Sequence, residues 1–144
     1  MTASLTSLLR DTILATVPRT RSVLLLSSDG IKKAWAGVET DTADQIAAAV
    51  SGLHGMSAAV GETCGGNRTV HQMMTEVGEI VLLIMGAAEG SLLAVLADRD
   101  VDADMLTYHM VDLRGKIQTH LETPLRQTAA LVSSTPEDGR YERR

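Results

Sequence analysis

Three stretches of this chain, Val23-Leu24-Leu25-Leu26, Val81-Leu82-Leu83-Ile84-Met85 and Leu92-Leu93-Ala94-Val95-Leu96, are continuously apolar rather than alternating. Short runs of this kind are strands buried on both faces. They belong in the middle of a sheet, and such a sheet needs a helical layer on each side. Two other strand candidates, Ile31-Lys32-Lys33-Ala34-Trp35-Ala36 and Thr69-Val70-His71-Gln72-Met73-Met74-Thr75, are mixed in polarity and suit the edges.

The links between these strands restrict their order. Ser27-Ser28-Asp29-Gly30 is rich in turn formers and joins the first two strands too closely for anything but a hairpin. Glu76-Val77-Gly78-Glu79 joins the third strand to the fourth, and Gly86-Ala87-Ala88-Glu89-Gly90-Ser91 joins the fourth to the fifth, so the last three form a meander. An antiparallel five-stranded sheet of order 2-1-5-4-3 satisfies every constraint.

Three helices supply the cover. The first, about residues 4–16, carries Leu5, Leu8, Leu9 and Ile13 on one stripe and stops at Pro18. The third begins near Asp102, which can cap it, and carries Leu106, Met110, Leu113, Ile117 and Leu121 before Pro124. In the second, Thr42-Ala43-Asp44-Gln45 has the form of a capping box, and Ile46, Val50, Leu53 and Val60 make a stripe. Gly52 and Gly55 interrupt it, each costing about 1 kcal/mol relative to alanine. With its many alanines, this helix has little side-chain bulk. Two readings fit: tight packing on its own sheet, or pairing with the same helix of a second copy. The expected fold is a mixed α/β (α+β) domain, αββαβββα, over residues 1–123, followed by a polar, disordered tail over 124–144.

Composition narrows the function. The 144 residues and 44% hydrophobic content suit one core, with no second domain. A net charge of -5, no Phe, one Trp and two Tyr argue against a nucleic-acid partner. Cys64 is the lone cysteine, so an internal disulfide is excluded. The N-terminus lacks the pattern of a secretory signal, and no apolar run approaches the ~20 residues that cross a bilayer. The expected compartment is the cytoplasm, with membrane contact made through a partner and no direct insertion.

Chemistry-bearing constellations are scarce. His54, His71, His109 and His120 fall in different elements without a second ligand type at metal spacing, and His54 and His120 read as exposed helix residues. Cys64 and His71 are a cysteine-histidine pair close in sequence, but no third group is placed to orient them. Cys64-Gly65-Gly66-Asn67 leaves a helix and enters a strand, the reverse of a phosphate-binding loop, and is expected to end the helix. Asp41, Asp44, Asp102 and Asp104 sit at helix starts, where the dipole stabilises them. The expectation is a protein without catalytic residues, metal or cofactor.

The strand-turn-strand Val23 to Gly30, the small-residue helix with Ser51-Gly52-Leu53, the Gly65-Gly66 link and Leu92-Leu93-Ala94-Val95-Leu96-Ala97 together resemble the roadblock/dynein light chain family. Tyr108-His109-Met110 is similar to the last helix of actinobacterial members. The resemblance covers about residues 4–122. It implies a profilin-like, longin-like αββαβββα domain that forms homodimers, in which the second helix meets its copy and the sheets join through an edge. The residues themselves favour strand three as that edge: strand two carries Lys32 and Lys33, whereas Val70-His71-Gln72-Met73-Met74 has no full charge. The expected interface comprises Ile46, Ala49, Val50, Gly52, Leu53, Gly55 and Met56 on the second helix, with Val70, Gln72 and Met74 on strand three.

The resemblance further implies a non-enzymatic regulator or adaptor of a small Ras-like GTPase, in a system that includes a membrane sensor kinase. Activating members of the family reshape the GTPase without inserting an arginine, so Arg21 and Arg68 receive no catalytic role. The alternative is a passive dimeric scaffold linking the sensor kinase to downstream proteins. A small-ligand sensor is a third reading, with Trp35 the only large aromatic available to line a pocket.

Overall fold

In the computed structural model, residues 2–134 are described, with side chains over 5–121. Helix α1 (Thr2–Leu9) runs into a π-helical turn (Arg10–Leu14), followed by β1 (Thr20–Ser27), β2 (Lys32–Ala36), α2 (Thr40–Gly65) and β3 (Gln72–Val77). Then come β4 (Ile80–Gly86), a 3-10 turn (Ala88–Gly90), β5 (Ser91–Asp98) and α3 (Ala103–Ser134). The five strands form one antiparallel sheet of order β2-β1-β5-β4-β3, as the apolar runs and short links required.

The register sorts side chains into rows across the sheet. Trp35, Leu24, Ala94, Ile84 and Met73 lie side by side on five successive strands. This row belongs to the core beneath α2, which presses Ala43, Ala47 and Val50 onto it. The adjacent row, Ala36, Val23, Val95, Leu83 and Met74, points the other way. There the cover comes from Leu9 and Ile13 of the first helical segment and from Leu106, Met110, Leu113 and Ile117 of α3. Leu24, Leu25, Leu83 and Leu93 are all fully buried, so the central strands do face two helical layers.

The β1–β2 hairpin closes as its turn residues predict. The Ser27 N–H donates to the Ile31 carbonyl at 2.9 Å, the Gly30 N–H donates to the Ser27 carbonyl at 3.0 Å, and Gly30 takes φ +93°. Ser51 Oγ donates to the Ser28 carbonyl at 2.7 Å, tying α2 to the hairpin tip. Asp102 caps α3, its Oδ1 accepting the Met105 N–H at 3.1 Å.

Four expectations change. Helix α2 starts at Thr40 after Glu39, and no side chain caps it, so the capping-box pattern of Thr42 to Gln45 lies inside the first turns and is unused. Strand β3 begins at Gln72 and ends at Val77, leaving Val70 in the connection and shrinking the turn to Gly78-Glu79. Gly78 at φ +60° permits that two-residue turn. The stripe expected on α2 is rotated: Val50 is buried, Ile46 and Leu53 are partly buried, but Val60 faces solvent. Helix α3 continues past Pro124 to Ser134. The expected tail from residue 135 onward lies outside the described residues.

Lys32 and Lys33 do more than charge an edge. Lys32 Nζ lies 2.5 Å from Asp44 Oδ1 on α2 and 4.7 Å from the centre of the Trp35 ring. Lys33 Nζ donates to Ser91 Oγ at 2.8 Å. Helix α1 packs closely over β2, whose buried Ala34 and Ala36 leave room for it.

Gly37, leaving β2, has φ +83°, and a Cβ there would stand 2.3 Å from the Arg21 carbonyl oxygen. Gly37→Ala is therefore expected to lower the unfolding free energy by about 2–4 kcal/mol, combining backbone strain and overpacking. Chemical denaturation of the variant beside the parent checks this.

Candidate interaction surface

Between Gln45 and Glu62, α2 carries no Lys, Arg, Asp or Glu. One side of this segment has to be apolar, because Ala47, Val50 and Ala58 are buried against the sheet. The opposite side is uncharged as well. Ala48, Ala49, Gly52, Met56, Ala59 and Val60 follow one another at close to the helical period and all face solvent. Met56 is 64% exposed and Val60 62%. An exposed helix face normally carries charge, and a contiguous apolar one marks an interaction surface.

The two glycines are not there for the chain's own packing. A Cβ built on Gly52 or Gly55 meets no atom within 4 Å, so the sheet beneath does not require their smallness. Close approach within the chain occurs instead at Gly61, where a Cβ would lie 2.6 Å from the Asn67 carbonyl oxygen. That contact folds the connection back beside α2. Gly66, at φ +73°, ends the helix with its N–H donating to the Glu62 carbonyl at 3.2 Å. The Cys64-Gly65-Gly66-Asn67 segment thus terminates a helix, as its position before a strand implied.

Strand β3 borders the same region. Ser57 Oγ contacts Met73 Sδ at 3.3 Å, so α2 comes down on β3 one residue away from the outward Met56. Met73 faces α2, while Gln72, Met74 and Glu76 face the opposite side of the sheet. Beyond β3 the sheet ends, with Met74 46% and Val77 66% exposed. Its outer row of backbone N–H and C=O groups is available for pairing.

The residues expected at an interface therefore divide. Ala49, Gly52 and Met56 lie on the exposed face of α2, and Gln72 and Met74 on the free-edge strand. Ile46, Leu53 and Gly55 are half-buried along its flanks. Val50 is withdrawn from the set: its side chain is fully buried in its own core and has none to offer a partner. Val70 lies in the connection before β3, partly buried. Val60 and Val77 are the additions. Val60 resembled a core residue because its spacing matched Val50 and Leu53, and Val77 fell in what read as a turn.

Other candidates are held structurally. Trp35 packs against the core beneath α2 under the Lys32 side chain. His54 and His120 are partly buried rather than exposed, and His109 sits edge-on to the Tyr108 ring at 5.1 Å. Arg21 is paired with Asp98 at 2.5 Å and Arg68 with Glu62 at 2.6 Å. Among the described residues no group of three or more His, Cys, Asp and Glu side chains is placed to hold a metal ion.

A polar cleft of about 570 Å³ opens at the start of β1 and the end of β5. Arg19, Arg21 and Arg99 line it together with Glu79, Asp98 and Asp100, so its charges balance. No motif foreshadowed it, because the six residues come from three separate stretches of the chain: the start of β1, the β3–β4 turn and the end of β5.

The Roadblock/LC7 domain family matches residues 9–97. A Roadblock/LC7 domain from Streptomyces avermitilis is 35% identical, with a TM-score of 0.77 over 81% of this chain and 97% of that one. Myxococcus xanthus MglB shares the fold at 13% identity, with a TM-score of 0.70 over 83% and 96%. Acanthamoeba castellanii profilin II does so at 13% identity, with a TM-score of 0.56 over 78% and 95%. No curated protein matches the sequence. A profile match across more than half of the chain, a 35%-identical relative and the shared sheet order lead to one conclusion: the chain belongs to the Roadblock/LC7 domain family.

Proposed function

We propose that this protein is a non-enzymatic homodimer that regulates or tethers a small Ras-like GTPase. The observation that carries the reading is the uncharged outward face of α2 lying next to the unpaired edge of β3. Two copies meeting antiparallel at β3 would be related by a two-fold axis perpendicular to the sheet. Both α2 helices would then stand on the same side of a ten-stranded sheet, with Met56 and Val60 directed towards the axis. Gly52 and Gly55 would let the two helix backbones approach. The paired helices and the sheet beneath them make a broad platform for a partner.

Family resemblance supplies the kind of partner, and physical chemistry states what regulation requires. A dimer that binds the GTP-loaded and GDP-loaded forms equally moves no equilibrium. Each tenfold shift between them needs about 1.4 kcal/mol of differential affinity. Arg21 and Arg68 are held by carboxylates, which fits a regulator that acts by reshaping its partner rather than by inserting a guanidinium. A membrane sensor kinase would bring the assembly to a bilayer. No described helix is long and apolar enough to cross one.

Two measurements test this. Purified protein is titrated with a Ras-like GTPase from the same organism, loaded with GDP or with a GTP analogue, while hydrolysis is followed. Preference for one form by about tenfold or more is expected; equal binding to both would point to a passive scaffold, and no binding would end the reading. Gly52→Leu and Gly55→Leu, at positions where an added Cβ meets nothing within 4 Å in the protomer, are each expected to weaken the dimer by about tenfold or more. Light scattering across a concentration series reports the change, and undiminished association would refute helix pairing.

A further inference from the structure

We infer that a second copy of this chain joins β3 in one register, centred on Met74, with Gln72 of each strand opposite Glu76 of the other. This rests on the β3 pairing proposed above and adds to it the residues that align the two sheets.

The possible registers are few. Residues directly opposite in an antiparallel pair share a face, and a slip of one residue reverses every face. A two-fold seam must therefore be centred on a residue, not on a peptide bond. Strand β3 has six residues, Gln72–Val77, so centring on Met74 pairs residues 72–76 and centring on Thr75 pairs 73–77. Centres at Met73 or Glu76 pair three residues each, and the latter sets Glu76 against itself.

Side-chain chemistry separates the two long registers. Centred on Met74, the face away from α2 reads polar, apolar, polar on both strands. Met74, half-exposed in the protomer, meets its own copy, and the Gln72 amide can donate to the opposing Glu76 carboxylate. On the α2 face, Met73 meets Thr75. Centred on Thr75, the same residues conflict: Met74 lies opposite Glu76 twice, and the two Glu76 carboxylates become diagonal neighbours about 7–8 Å apart. The Met74 register instead holds these carboxylates several residues apart. Each also keeps the Arg99 guanidinium of its own chain within 3.7 Å, which offsets its charge at the seam.

Cysteine cross-linking reads the register directly. In a Cys64→Ser background, which removes the exposed native thiol, Met74→Cys and Thr75→Cys are compared under mild oxidation. The Met74 register puts the two position-74 Cα atoms about 4.5–5.5 Å apart, within disulfide reach, and the position-75 pair beyond about 7 Å. Met74→Cys is expected to form a covalent dimer at least about tenfold faster than Thr75→Cys. Faster cross-linking at position 75 would overturn the register while leaving the shared edge intact. A dimeric parent with neither cross-link would overturn the Met74 register and exclude the Thr75 one as well. A monomeric parent would overturn the dimer itself.

Charge offers a second readout. Gln72→Glu is expected to weaken the dimer by about fivefold, because it faces Glu76, whereas Gln72→Lys should keep or tighten it. In the alternative register residue 72 falls outside the paired segment, so equal effects of the two substitutions would count against the Met74 centre.

Discussion

Burial of β1, β5 and β4 on both faces is the constraint from which the rest of the architecture follows. Leu24 and Leu25, neighbours in the chain, point in opposite directions and are both fully buried, so neither side of the sheet can be left to water. The cover is divided unevenly. One side receives the first helical segment together with α3, whose leucines, isoleucines and Met110 supply bulk. The other receives α2 alone, which contacts the sheet mostly through alanines and Val50. A helix faced with alanine sits close to its sheet, and its other side stays near enough to the surface of the domain to meet a neighbour.

Length sharpens that asymmetry. With 26 residues, α2 extends about 39 Å, whereas the five strands, about 4.8 Å apart, set β2 and β3 about 19 Å from each other. The helix starts near β2, where Asp44 holds Lys32, and reaches β3, where Ser57 meets Met73. Its uncharged outer face consequently ends beside the strand whose edge is free. Helix and edge form a single region because the helix is longer than the sheet is wide at that point.

Much of the fold was legible because the signals were local. Continuous apolarity identified the central strands, turn residues identified the first hairpin, and Asp102 identified the start of α3. Where expectations failed, a nonlocal effect prevailed. Thr42 and Gln45 had the right spacing for a capping box, but the N-cap falls at Glu39, three residues earlier, so the pattern is not at the helix end. Val77 read as part of a turn until Gly78 tightened the hairpin and drew it into β3. Val60 kept step with the buried stripe in sequence but lies on the exposed side in space.

The sequence by itself determined the element order, the sheet topology and which strands lie inside, since apolar runs and short links leave few other arrangements. It also made α2 a helix of little bulk, uncharged between Gln45 and Glu62. Tertiary structure alone decided which side of that helix is spent on the chain's own core. A period of 3.6 residues states that faces exist, not which of them meets the sheet. With both faces apolar, the choice depends on the position of α2 above β1 and β2 and on where the sheet ends. Val50 turns inward and Met56 and Val60 outward for that reason, and β3 is left with one side unpaired.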